Sequence, residues 1–455
     1  MGKYFGTDGF RGEAGVTLTA EHAFRLGRFL GRYCREHDLD GNTVPPHRPC
    51  FALGKDTRLS SYMLEYALAA GLAASGADPY MLHVTTTPCV SFVTSREDFD
   101  GGIMISASHN PFRDNGIKLV NRKGEKIGDD TIAIMEEDLD RGELLLSASG
   151  DAVGRIVDHA AGRNRYLGYL ISLAANSYKH LRIGLDCANG SAWMMGRAVF
   201  EALGAKTYTI GNTPNGVNIN EDCGSTHTER LRRLVVEQKL DMGFAFDGDG
   251  DRCIAVDERG NEVNGDHILY ILGCALKARG CLSGNTVVST VMSNMGLVRA
   301  LEGAGIASEQ TTVGDRYVYE CMTREGYDLG GEQSGHIILR KYATTGDGLL
   351  TAIMLTEQVV ESKRTLSELA SPVILFPQIT VNIPVTDKSA VLHHPAVEEK
   401  RMACNEELGK DGRLLLRASG TEPLVRIMVE AKEEAVCRAM AREMKETIQK
   451  TGLTP

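Results

Sequence analysis

The stretch GGIMISASHNP at residues 101–111 predicts a buried strand that ends abruptly in a polar loop. Its apolar run, Ile103 to Ile105, is flanked by glycines, as is typical of a short buried strand. Pro111 disfavours helical backbone at Asn110, so the strand should give way to a tight loop. Ligands collect at such strand ends in open α/β sheets. We therefore expect Ser108 to face a ligand site, and our hypothesis is that it carries a phosphoryl group.

Length and charge limit the classes of protein that fit the chain. Its 455 residues are too many for one core, so three or four domains are expected. The net charge is 50 − 60 = −10, without a long basic block, which argues against nucleic-acid binding. Eleven scattered cysteines without a CxxC pair favour reduced thiols. The sequence shows no apolar signal core and no membrane-length apolar run, so we expect a soluble cytoplasmic protein without a membrane partner.

Apolar strand-like runs alternate with helical segments in three successive regions of the chain. This alternation predicts three similar α/β domains with mixed sheets, followed by a smaller C-terminal α+β domain. The predicted boundaries are 1–154 with the serine loop, 155–256 with an acidic loop, 257–372 with a polar glycine-rich loop, and 373–455.

The acidic loop DGDGDR, at residues 247–252, carries the most specific metal signal. Asp247, Asp249 and Asp251 alternate with glycines directly after an apolar strand, and their mutual repulsion calls for a cation. Hard oxygen ligands with room for a phosphate oxygen favour Mg²⁺. An EF-hand is excluded because Arg252 occupies the loop position that requires glycine. The alternative is a solvated acidic turn.

Three further segments carry groups that suit anions, but each also has a plain structural explanation. FGTDGFRG places Arg11 among glycines, as a phosphate contact or an N-terminal turn. GKDTR offers Lys55 and Arg58 as cations near the site, or Asp56 and Arg58 as an ion pair. In DNGIK, Asn-Gly predicts a hairpin turn that places Lys118 on the following strand, where it could stabilise phosphate charge or move a proton.

Two loops in the second half of the chain suit a phosphosugar. GEQSGH, at residues 331–336, offers a carboxylate, a hydroxyl, an amide and an imidazole, which suit the hydroxyls of a sugar. RASGTEP, at residues 417–423, combines an arginine, two hydroxyls and a glycine N–H, as in a phosphate nest, and Arg426 follows it. The alternative is a turn between hairpin strands. A second phosphate site in a separate domain implies a substrate with two ends.

The motifs ISASHNP, NGIK, DGDGDR, GEQSGH and RASGTEP, in this order, resemble the α-D-phosphohexomutase family over essentially the whole chain. FGTDGFRG, DGDGDR and GEQSGH are most similar to the branch that acts on glucosamine phosphates. Ala418 stands where a proline is common and Phe10 where a smaller aliphatic residue is common, and neither departure removes a functional group. The resemblance implies four domains around a central cleft.

The resemblance also implies roles for individual residues. Phospho-Ser108 would bind Mg²⁺ together with Asp247, Asp249 and Asp251. The reacting centre would be lined by Arg11, His109, Lys118, Arg252 and His336. Sugar hydroxyls would contact Glu332 and Ser334, and the existing phosphate of the substrate would be held by Arg417, Ser419, Gly420, Thr421 and Arg426. Lys118 and His336 are the candidates for proton transfer.

The implied activity is an intramolecular phosphotransfer that interconverts glucosamine 6-phosphate and glucosamine 1-phosphate. Phospho-Ser108 would give its phosphoryl group to the sugar, and a sugar 1,6-bisphosphate would serve as intermediate and activator. The expected partner is a small phosphosugar, and the sequence leaves open whether the chain is a homodimer. The alternatives are the same reaction on glucose or mannose phosphates, a Mg²⁺-dependent sugar phosphatase and a non-catalytic phosphosugar sensor.

Overall fold

The computed structural model of the chain describes residues 3–6, 8–141, 147–419 and 423–455. The chain divides into two compact units. One comprises residues 1–292 and 304–371, and the other comprises 293–303 and 372–455. The segment 293–303 therefore belongs to the second unit, although the alternation of strands and helices places it in the third α/β region.

The first domain is built on a mixed sheet that contains seven strands within the described residues, in the order β1-β2-β6-β5-β3-β4-β7. Its elements are β1 (Phe5–Gly6), β2 (Gly9–Glu13), α1 (Ala20–Tyr33), β3 (Cys50–Lys55), α2 (Leu59–Ala74), β4 (Asp78–Val84), α3 (Thr87–Arg96), β5 (Gly101–Ile105), β6 (Asp114–Asn121), α4 (Asp129–Arg141) and β7 (Val157–Asp158). Strands β5, β3, β4 and β7 run parallel, whereas β6 pairs antiparallel with β5 and with β2. Every residue of β5 is buried, which confirms the strand predicted from the apolar run.

The second domain has a sheet in the order β12-β11-β10-β8-β9. Its elements are α5 (Ala160–Leu173), β8 (Arg182–Asp186), α6 (Met195–Ala202), β9 (Lys206–Ile210), α7 (Glu229–Gln238), β10 (Met242–Phe246), β11 (Cys253–Asp257) and β12 (Glu262–Val263). Strands β10 and β11 form an antiparallel hairpin in which Phe246 lies opposite Cys253. The acidic stretch 247–252 is therefore the loop of a hairpin whose two strands are fully buried.

The third domain has a sheet in the order β14-β13-β15-β16. Its region contains α8 (Gly265–Ala278), β13 (Thr286–Thr290), α9 (Met295–Gly303), β14 (Ala307–Thr311), α10 (Asp315–Glu325), β15 (Leu329–Gly331), β16 (Ile337–Leu339), α11 (Gly348–Ser362) and α12 (Leu366–Ala370). Strands β15 and β16 pair antiparallel, with Gly331 opposite Ile337, so residues 332–336 form the tight turn between them.

The C-terminal domain is an antiparallel sheet in the order β17-β19-β18 with helices packed on it. Its elements are β17 (Gln378–Pro384), α13 (Lys388–Leu392), α14 (Pro395–Leu408), β18 (Gly412–Ala418), β19 (Leu424–Ala431) and α15 (Glu434–Gln449). Helix α9 joins this unit, because the Met295 N–H donates to Glu430 Oε1 at 2.6 Å. Three domains with mixed sheets and a smaller α+β domain confirm the predicted fold class.

Two further features bear on the chemistry of the whole chain. The cysteines are all free within the described residues. None of the helices in the described part of the chain is long and apolar enough to cross a membrane.

Candidate active site

Ser108 lies in the loop that follows the buried strand β5. Its backbone is in the left-handed region, at φ 53°, which is uncommon for a residue with a side chain. The Ser108 N–H donates to Ser106 Oγ at 3.0 Å, and Ser106 Oγ donates to Asp56 Oδ2 at 2.6 Å. Buried hydrogen bonds thus fix the strained turn and hold the hydroxyl of Ser108 at a defined position.

The buried guanidinium of Arg58 holds the carbonyl groups of this loop. Its Nη2 donates to the carbonyls of Ser108 at 3.0 Å and Asn110 at 2.9 Å, and its Nη1 donates to that of Pro111 at 2.5 Å. Its Nε lies 2.8 Å from Asp56 Oδ2. The sequence allowed two roles for Arg58, either a cation near the site or the ion-pair partner of Asp56. The structure shows the ion pair, and the same guanidinium clamps the serine loop.

Asn220, from the second domain, is a loop contact that the sequence did not reveal. Its Nδ2 donates to the carbonyls of Ser108 at 2.9 Å and Asn110 at 3.0 Å. Its partners lie 112 and 110 positions away along the chain, so no local pattern marks it. Lys55, the other cation offered for the site, instead forms a buried ion pair with Glu65.

The acidic loop gathers three buried carboxylates next to the Ser108 hydroxyl. One oxygen each of Asp247, Asp249 and Asp251 lies within 4.8 Å of the others. Ser108 Oγ donates to Asp247 Oδ2 at 2.6 Å across the interface between the first two domains. Burial, with Asp251 and Asp249 close by, raises the pKa of Asp247 well above its ordinary value. The Ser108 hydroxyl and the three carboxylates therefore lie side by side in the structure.

These carboxylates fit a divalent cation. The Oδ1 atoms of Asp249 and Asp251 are buried and accept no hydrogen bond from any described residue. Unpartnered buried carboxylate oxygens are costly, and a hard cation with oxygen ligands would satisfy them. The donor set of three carboxylates and a serine oxygen suits an ion that retains room for water or phosphate oxygens.

The opposite oxygens of the triad are held by the protein. Lys118 Nζ lies 2.8 Å from Asp249 Oδ2 and 3.1 Å from Asp251 Oδ2. Thr87, at the start of α3, donates its hydroxyl to Asp249 Oδ2 and its N–H to the Asp249 carbonyl. Helix α3 begins here because the Thr86 side chain caps it by accepting from the Cys89 N–H. The sequence did not point to Thr87, whose partner is 162 positions away.

The structure corrects the turn predicted at Asn115-Gly116. Both residues lie inside strand β6 and not in a turn, and the loop ends earlier, where the Asp114 N–H donates to the Pro111 carbonyl at 3.1 Å. Asn115 Nδ2 is satisfied by the hydroxyl of Ser61 at 3.0 Å. A side chain at Gly116 would place a Cβ 2.5 Å from the Ser106 carbonyl, so glycine serves close packing here. Lys118 nevertheless lies on the strand beside the serine loop, as predicted.

A set of buried and partly buried charges extends from Lys118 into the third domain. Lys118 Nζ lies 3.2 Å from Asp8 Oδ2, and Lys126 Nζ lies 2.7 Å from Asp8 Oδ1. Lys126 Nζ also lies 2.7 Å from Asp315 Oδ2, and His336 Nε2 lies 3.1 Å from the same oxygen. No sequence motif assigned a role to Asp8, Lys126 or Asp315. Their charges alternate in sign, so each one is compensated by its neighbours.

This alternation sets the protonation states of the buried groups. Burial disfavours the charge of Lys118, but Asp249, Asp251 and Asp8 outweigh it and raise its pKa well above the ordinary value. Burial opposes the charge of Asp251 in the same way, yet Lys118 and His336 hold its pKa down at about 2. Lys118 is therefore a fixed positive charge at the triad.

His109 and two arginines occupy the other side of Ser108. His109 Nδ1 lies 3.3 Å from Ser108 Oγ. Burial, followed by the charges of Arg252 and Arg11, lowers the pKa of His109 to about 4, so its ring is neutral at neutral pH. The guanidinium of Arg11, on β2, contacts the Asp8 carboxylate, and the Arg252 N–H donates to Asp247 Oδ1 at 3.2 Å.

The predicted sugar loop forms the tight turn between β15 and β16. The Glu332 N–H donates to the His336 carbonyl at 3.0 Å, and Glu332 Oε1 accepts from the Gly314 N–H at 3.0 Å. Ser334 is exposed, whereas His336 is buried. The His336 ring lies against Gly346, where a Cβ would come within 2.5 Å of it. His336 Nε2 is 3.9 Å from Asp251 Oδ2, which ties this turn to the triad.

The predicted phosphate residues lie in the second unit, on the hairpin β18–β19. Arg417 and Arg426 lie directly opposite each other on these strands. Burial and the charge of Arg426 lower the pKa of Arg417, as expected of two cations held together for an anion. Lys388 Nζ donates to the Ser419 carbonyl at 2.8 Å, a cation that the sequence did not point to. The predicted residues Gly420 and Thr421 lie outside the described residues.

Four family descriptions match successive parts of the chain. Phosphoglucomutase/phosphomannomutase alpha/beta/alpha domains I, II and III match residues 2–145, 164–260 and 264–374, and the C-terminal domain of the same family matches residues 381–447. Together with full-length curated relatives that exceed half identity, these matches settle the class of the protein. The chain belongs to the phosphoglucomutase/phosphomannomutase family.

The curated relatives specify the member of this family that the chain is similar to. A phosphoglucosamine mutase from Lachnospira eligens is 57% identical over 454 residues, which cover 99% of each chain. A phosphoglucosamine mutase from Bacillus cereus is 48% identical over 450 residues, with the same coverage.

Solved structures share the fold at lower identity. A phosphoglucomutase/phosphomannomutase family protein from Burkholderia thailandensis matches with a TM-score of 0.80 and 24% identity, and it covers 99% of this chain and 98% of its own. N-acetylphosphoglucosamine mutase from Aspergillus fumigatus, in complex with GlcNAc-6P and magnesium, matches with a TM-score of 0.70 and 16% identity, covering 99% and 96%. These structures support the fold.

Proposed function

We propose that the chain interconverts glucosamine 6-phosphate and glucosamine 1-phosphate through a phosphoserine at Ser108. One observation carries the proposal: the Ser108 hydroxyl lies 2.6 Å from Asp247 in a buried carboxylate triad. Full-length similarity to phosphoglucosamine mutases supports glucosamine as the sugar. Glucose and mannose phosphates are the nearest alternative substrates within the family.

We further propose that the metal is Mg²⁺, held by Asp247, Asp249, Asp251 and an oxygen of phospho-Ser108. When bound, it neutralises phosphate charge and draws electron density from the transferring group. The buried, unpartnered oxygens of Asp249 and Asp251 support this assignment. Lys118 compensates the other oxygens of these two residues, so it lowers the mutual repulsion of the carboxylates and leaves their Oδ1 atoms for the ion.

The reaction consists of two phosphoryl transfers. In the first, the P–O bond to Ser108 breaks while a P–O bond forms to the free hydroxyl of the sugar; this hydroxyl loses a proton and Ser108 Oγ gains one, and both proton movements are reversed in the second transfer. The product is glucosamine 1,6-bisphosphate, which also acts as an activator when it is added. After the bisphosphate turns end for end, Ser108 Oγ takes the other phosphoryl group, and the released sugar oxygen regains a proton. Ser108 is thus phosphorylated again, and no phosphate is lost.

The charges around Ser108 determine which group can move the proton. Lys118 is held in its charged form by three carboxylates, so it stabilises phosphate charge and does not accept a proton. His109 is neutral and lies beside Ser108 Oγ, where it orients the serine oxygen. His336 is the remaining candidate for the proton transfer; its Nε2 lies 3.1 Å from Asp315 Oδ2, and neither ring nitrogen makes a hydrogen bond with a described residue. Arg11 and Arg252 offer further positive charge to the phosphoryl group.

Substrate binding divides between two loops. Glu332 and Ser334 offer a carboxylate and an exposed hydroxyl to the sugar. The second loop would bind the phosphate that is not being transferred, through Arg417, Ser419, Gly420, Thr421 and Arg426. Because the bisphosphate must turn, the same contacts serve two orientations of the sugar.

Several expectations from the sequence stay predictions. They are the domain limits 1–154, 155–256, 257–372 and 373–455, the absence of nucleic-acid binding, the cytoplasmic location and the choice between monomer and homodimer. Sedimentation equilibrium of the full chain measures the last of these.

A mutase assay tests the proposal directly. Glucosamine 6-phosphate should be converted to glucosamine 1-phosphate with no sustained release of inorganic phosphate, and faster than the glucose and mannose phosphates are converted. Sustained phosphate release would show a phosphatase instead, and faster turnover of glucose 6-phosphate would reassign the sugar. Binding of glucosamine 6-phosphate without turnover would identify the chain as a non-catalytic phosphosugar sensor.

The serine is tested by Ser108→Ala, with Ser371→Ala as the matched control on an exposed residue. The first variant should lose phosphoryl transfer and the phosphate that mass spectrometry finds on the chain, whereas the control should keep both. Full activity of Ser108→Ala would refute the role of Ser108 and make Ser106 the next candidate.

A further inference from the structure

A cavity of about 550 Å³ lies in the first unit, apart from the residues proposed for catalysis. Its walls are helices α3 and α5, the turn at residues 122–123 after β6, and residues 340–347, which precede α11. None of the residues proposed to bind the metal or the phosphosugar lines it within the described chain. Its volume suits a ligand larger than a single phosphate, since ligand pockets span roughly 300–1,000 Å³.

The cavity is positively charged although the whole chain carries a net charge of −10. Five cationic side chains line it, against two carboxylates: Arg96, Arg122, Lys123, Arg340 and Lys341. Cations gathered around a concave surface raise the local potential and attract anions. A positively charged cavity in a chain of negative net charge therefore indicates an anionic ligand.

Two of these cations have no hydrogen-bond partner and no ion pair within 4 Å among the described residues. Arg340 donates to two backbone carbonyls, and Lys123 Nζ lies 3.7 Å from Asp40 Oδ2. Arg96 and Arg122 are these two, whereas the Lys341 ammonium lies 5.3 Å from the centre of the Tyr342 ring. Guanidinium groups bind phosphate through two parallel hydrogen bonds, so Arg96 and Arg122 are suited to a phosphorylated ligand.

An aromatic wall lies beside the cations. The rings of Phe92 and Tyr169 stack with centroids 4.6 Å apart, and the Tyr169 hydroxyl donates to the Tyr342 carbonyl at 2.9 Å. These three residues are only partly buried, so they retain apolar ring surface for a ligand. Planar bases stack on such rings at roughly 1–3 kcal/mol per base. A phosphosugar has no planar base that would stack on this wall.

We propose that this cavity is a regulatory site for a nucleotide, with its phosphates on Arg96 and Arg122 and its base on the wall of Phe92 and Tyr169. The inference goes beyond the proposed mutase activity, because it adds a second ligand at a separate site. The combination of unpaired guanidiniums, stacked rings and a volume above that of a phosphosugar selects this class of ligand.

Two walls of the cavity contact the acidic loop, residues 247–252, directly. Helix α3 carries Thr87, which donates to Asp249 Oδ2. The segment that lines the cavity ends at Asp347, and the next N–H, of Gly348, donates to the Gly250 carbonyl at 3.0 Å. A nucleotide that shifts either wall therefore shifts the backbone or a side chain of the triad. We expect bound nucleotide to change the KM or kcat of the mutase at least twofold.

Calorimetric titration of the full chain with ADP and with UDP tests the site. We expect at least one of them to bind with a Kd below about 1 mM, and more tightly than pyrophosphate or adenosine, which each lack half of the ligand. Arg96→Ala and Arg122→Ala should each weaken binding about tenfold or more, since each removes a charge-assisted contact. Arg233→Ala, which removes an exposed arginine on α7 outside the cavity, should leave binding unchanged.

Several outcomes would overturn the proposal. They are no binding of either nucleotide at about 1 mM, equal binding by all the variants, and competitive displacement of the nucleotide by glucosamine 6-phosphate, which would place it in the active site. A mutase rate that stays constant while the site is saturated would refute the regulatory role. Because Arg96 and Arg122 have no part in the mutase reaction, their variants should keep the basal activity, so failure of this proposal is distinguishable from failure of the proposed function.

Discussion

Arg58→Ala tests whether the serine loop is held from beneath by a buried cation. The substitution deletes four hydrogen bonds, to Asp56 and to the carbonyls of Ser108, Asn110 and Pro111. Both Arg58 and Asp56 are 0% exposed, so the variant leaves a buried carboxylate without its cation. Removing one partner of a buried ion pair costs about 3–5 kcal/mol. In the variant, the carbonyls of Ser108 and Asn110 still accept hydrogen bonds from Asn220. We therefore expect the loss of stability to stay within this range.

The cost should appear as local opening of the loop. At about 1.4 kcal/mol per factor of ten, amide hydrogen exchange at residues 103–110 should accelerate roughly 10²- to 4 × 10³-fold. Phosphoryl transfer should fall about 100-fold, because a loosened loop misplaces Ser108 Oγ.

Arg25→Ala is the matched control, because it removes an arginine whose ion pair with Glu21 is exposed on α1. Such an i,i+4 pair contributes about 0.2–0.5 kcal/mol, so exchange and activity should stay close to those of the unsubstituted chain. If Arg58→Ala exchanges within about threefold of the unsubstituted chain and keeps its activity, the loop is not held in this way.

Three further substitutions test the site and its surroundings. Asp249→Asn should abolish both calorimetric Mg²⁺ binding and activity, and an active variant that needs no metal would rule out the triad as the metal site. Gly346→Ala should lower kcat with little change in melting temperature, because the new Cβ would lie 2.5 Å from the His336 ring and displace it; an unchanged kcat would mean that the ring position does not matter. Burial raises the pKa of Asp347 to about 6, so the folded chain binds its proton more tightly than the unfolded chain does. The stability that the protonated Asp347 contributes is therefore lost as the pH rises from about 4 through 6. Asp347→Asn keeps a helix-capping side chain without the charge, so in pH-dependent melting it should gain up to roughly 3 kcal/mol on the unsubstituted chain between pH 4 and 7, and parallel pH profiles would contradict this.

Local chemistry in the sequence was sufficient to predict the strand, the serine loop and a cluster of carboxylates that could hold a metal ion. The carboxylates of the triad lie within five residues of one another, so their repulsion and their need for a cation follow from spacing alone. The run 103–105 is buried because its three side chains are apolar and form no hydrogen bonds with water. The same local reasoning failed at Asn115-Gly116, where the close approach of the Ser106 carbonyl uses the glycine inside a strand.

Residues with distant partners could not be predicted in this way. Asp8, Lys126 and Asp315 form one charge network at distances near 2.7 Å, although they come from widely separated positions. Each looks like an ordinary surface charge in its own segment, because an isolated charge is solvated until packing brings a partner to it. The same holds for Lys388, whose acceptor at Ser419 is 31 positions away.

Residues that stand close together in the chain were enough to predict much of its chemistry: a serine on a loop at the end of a strand, three carboxylates suited to a metal ion and loops suited to a phosphosugar. How these groups are held and charged follows from the fold: Arg58 and Asn220 hold the loop, and three carboxylates favour the cationic form of Lys118. Protonation and orientation depend on burial and on neighbours in space, which the order of residues does not specify.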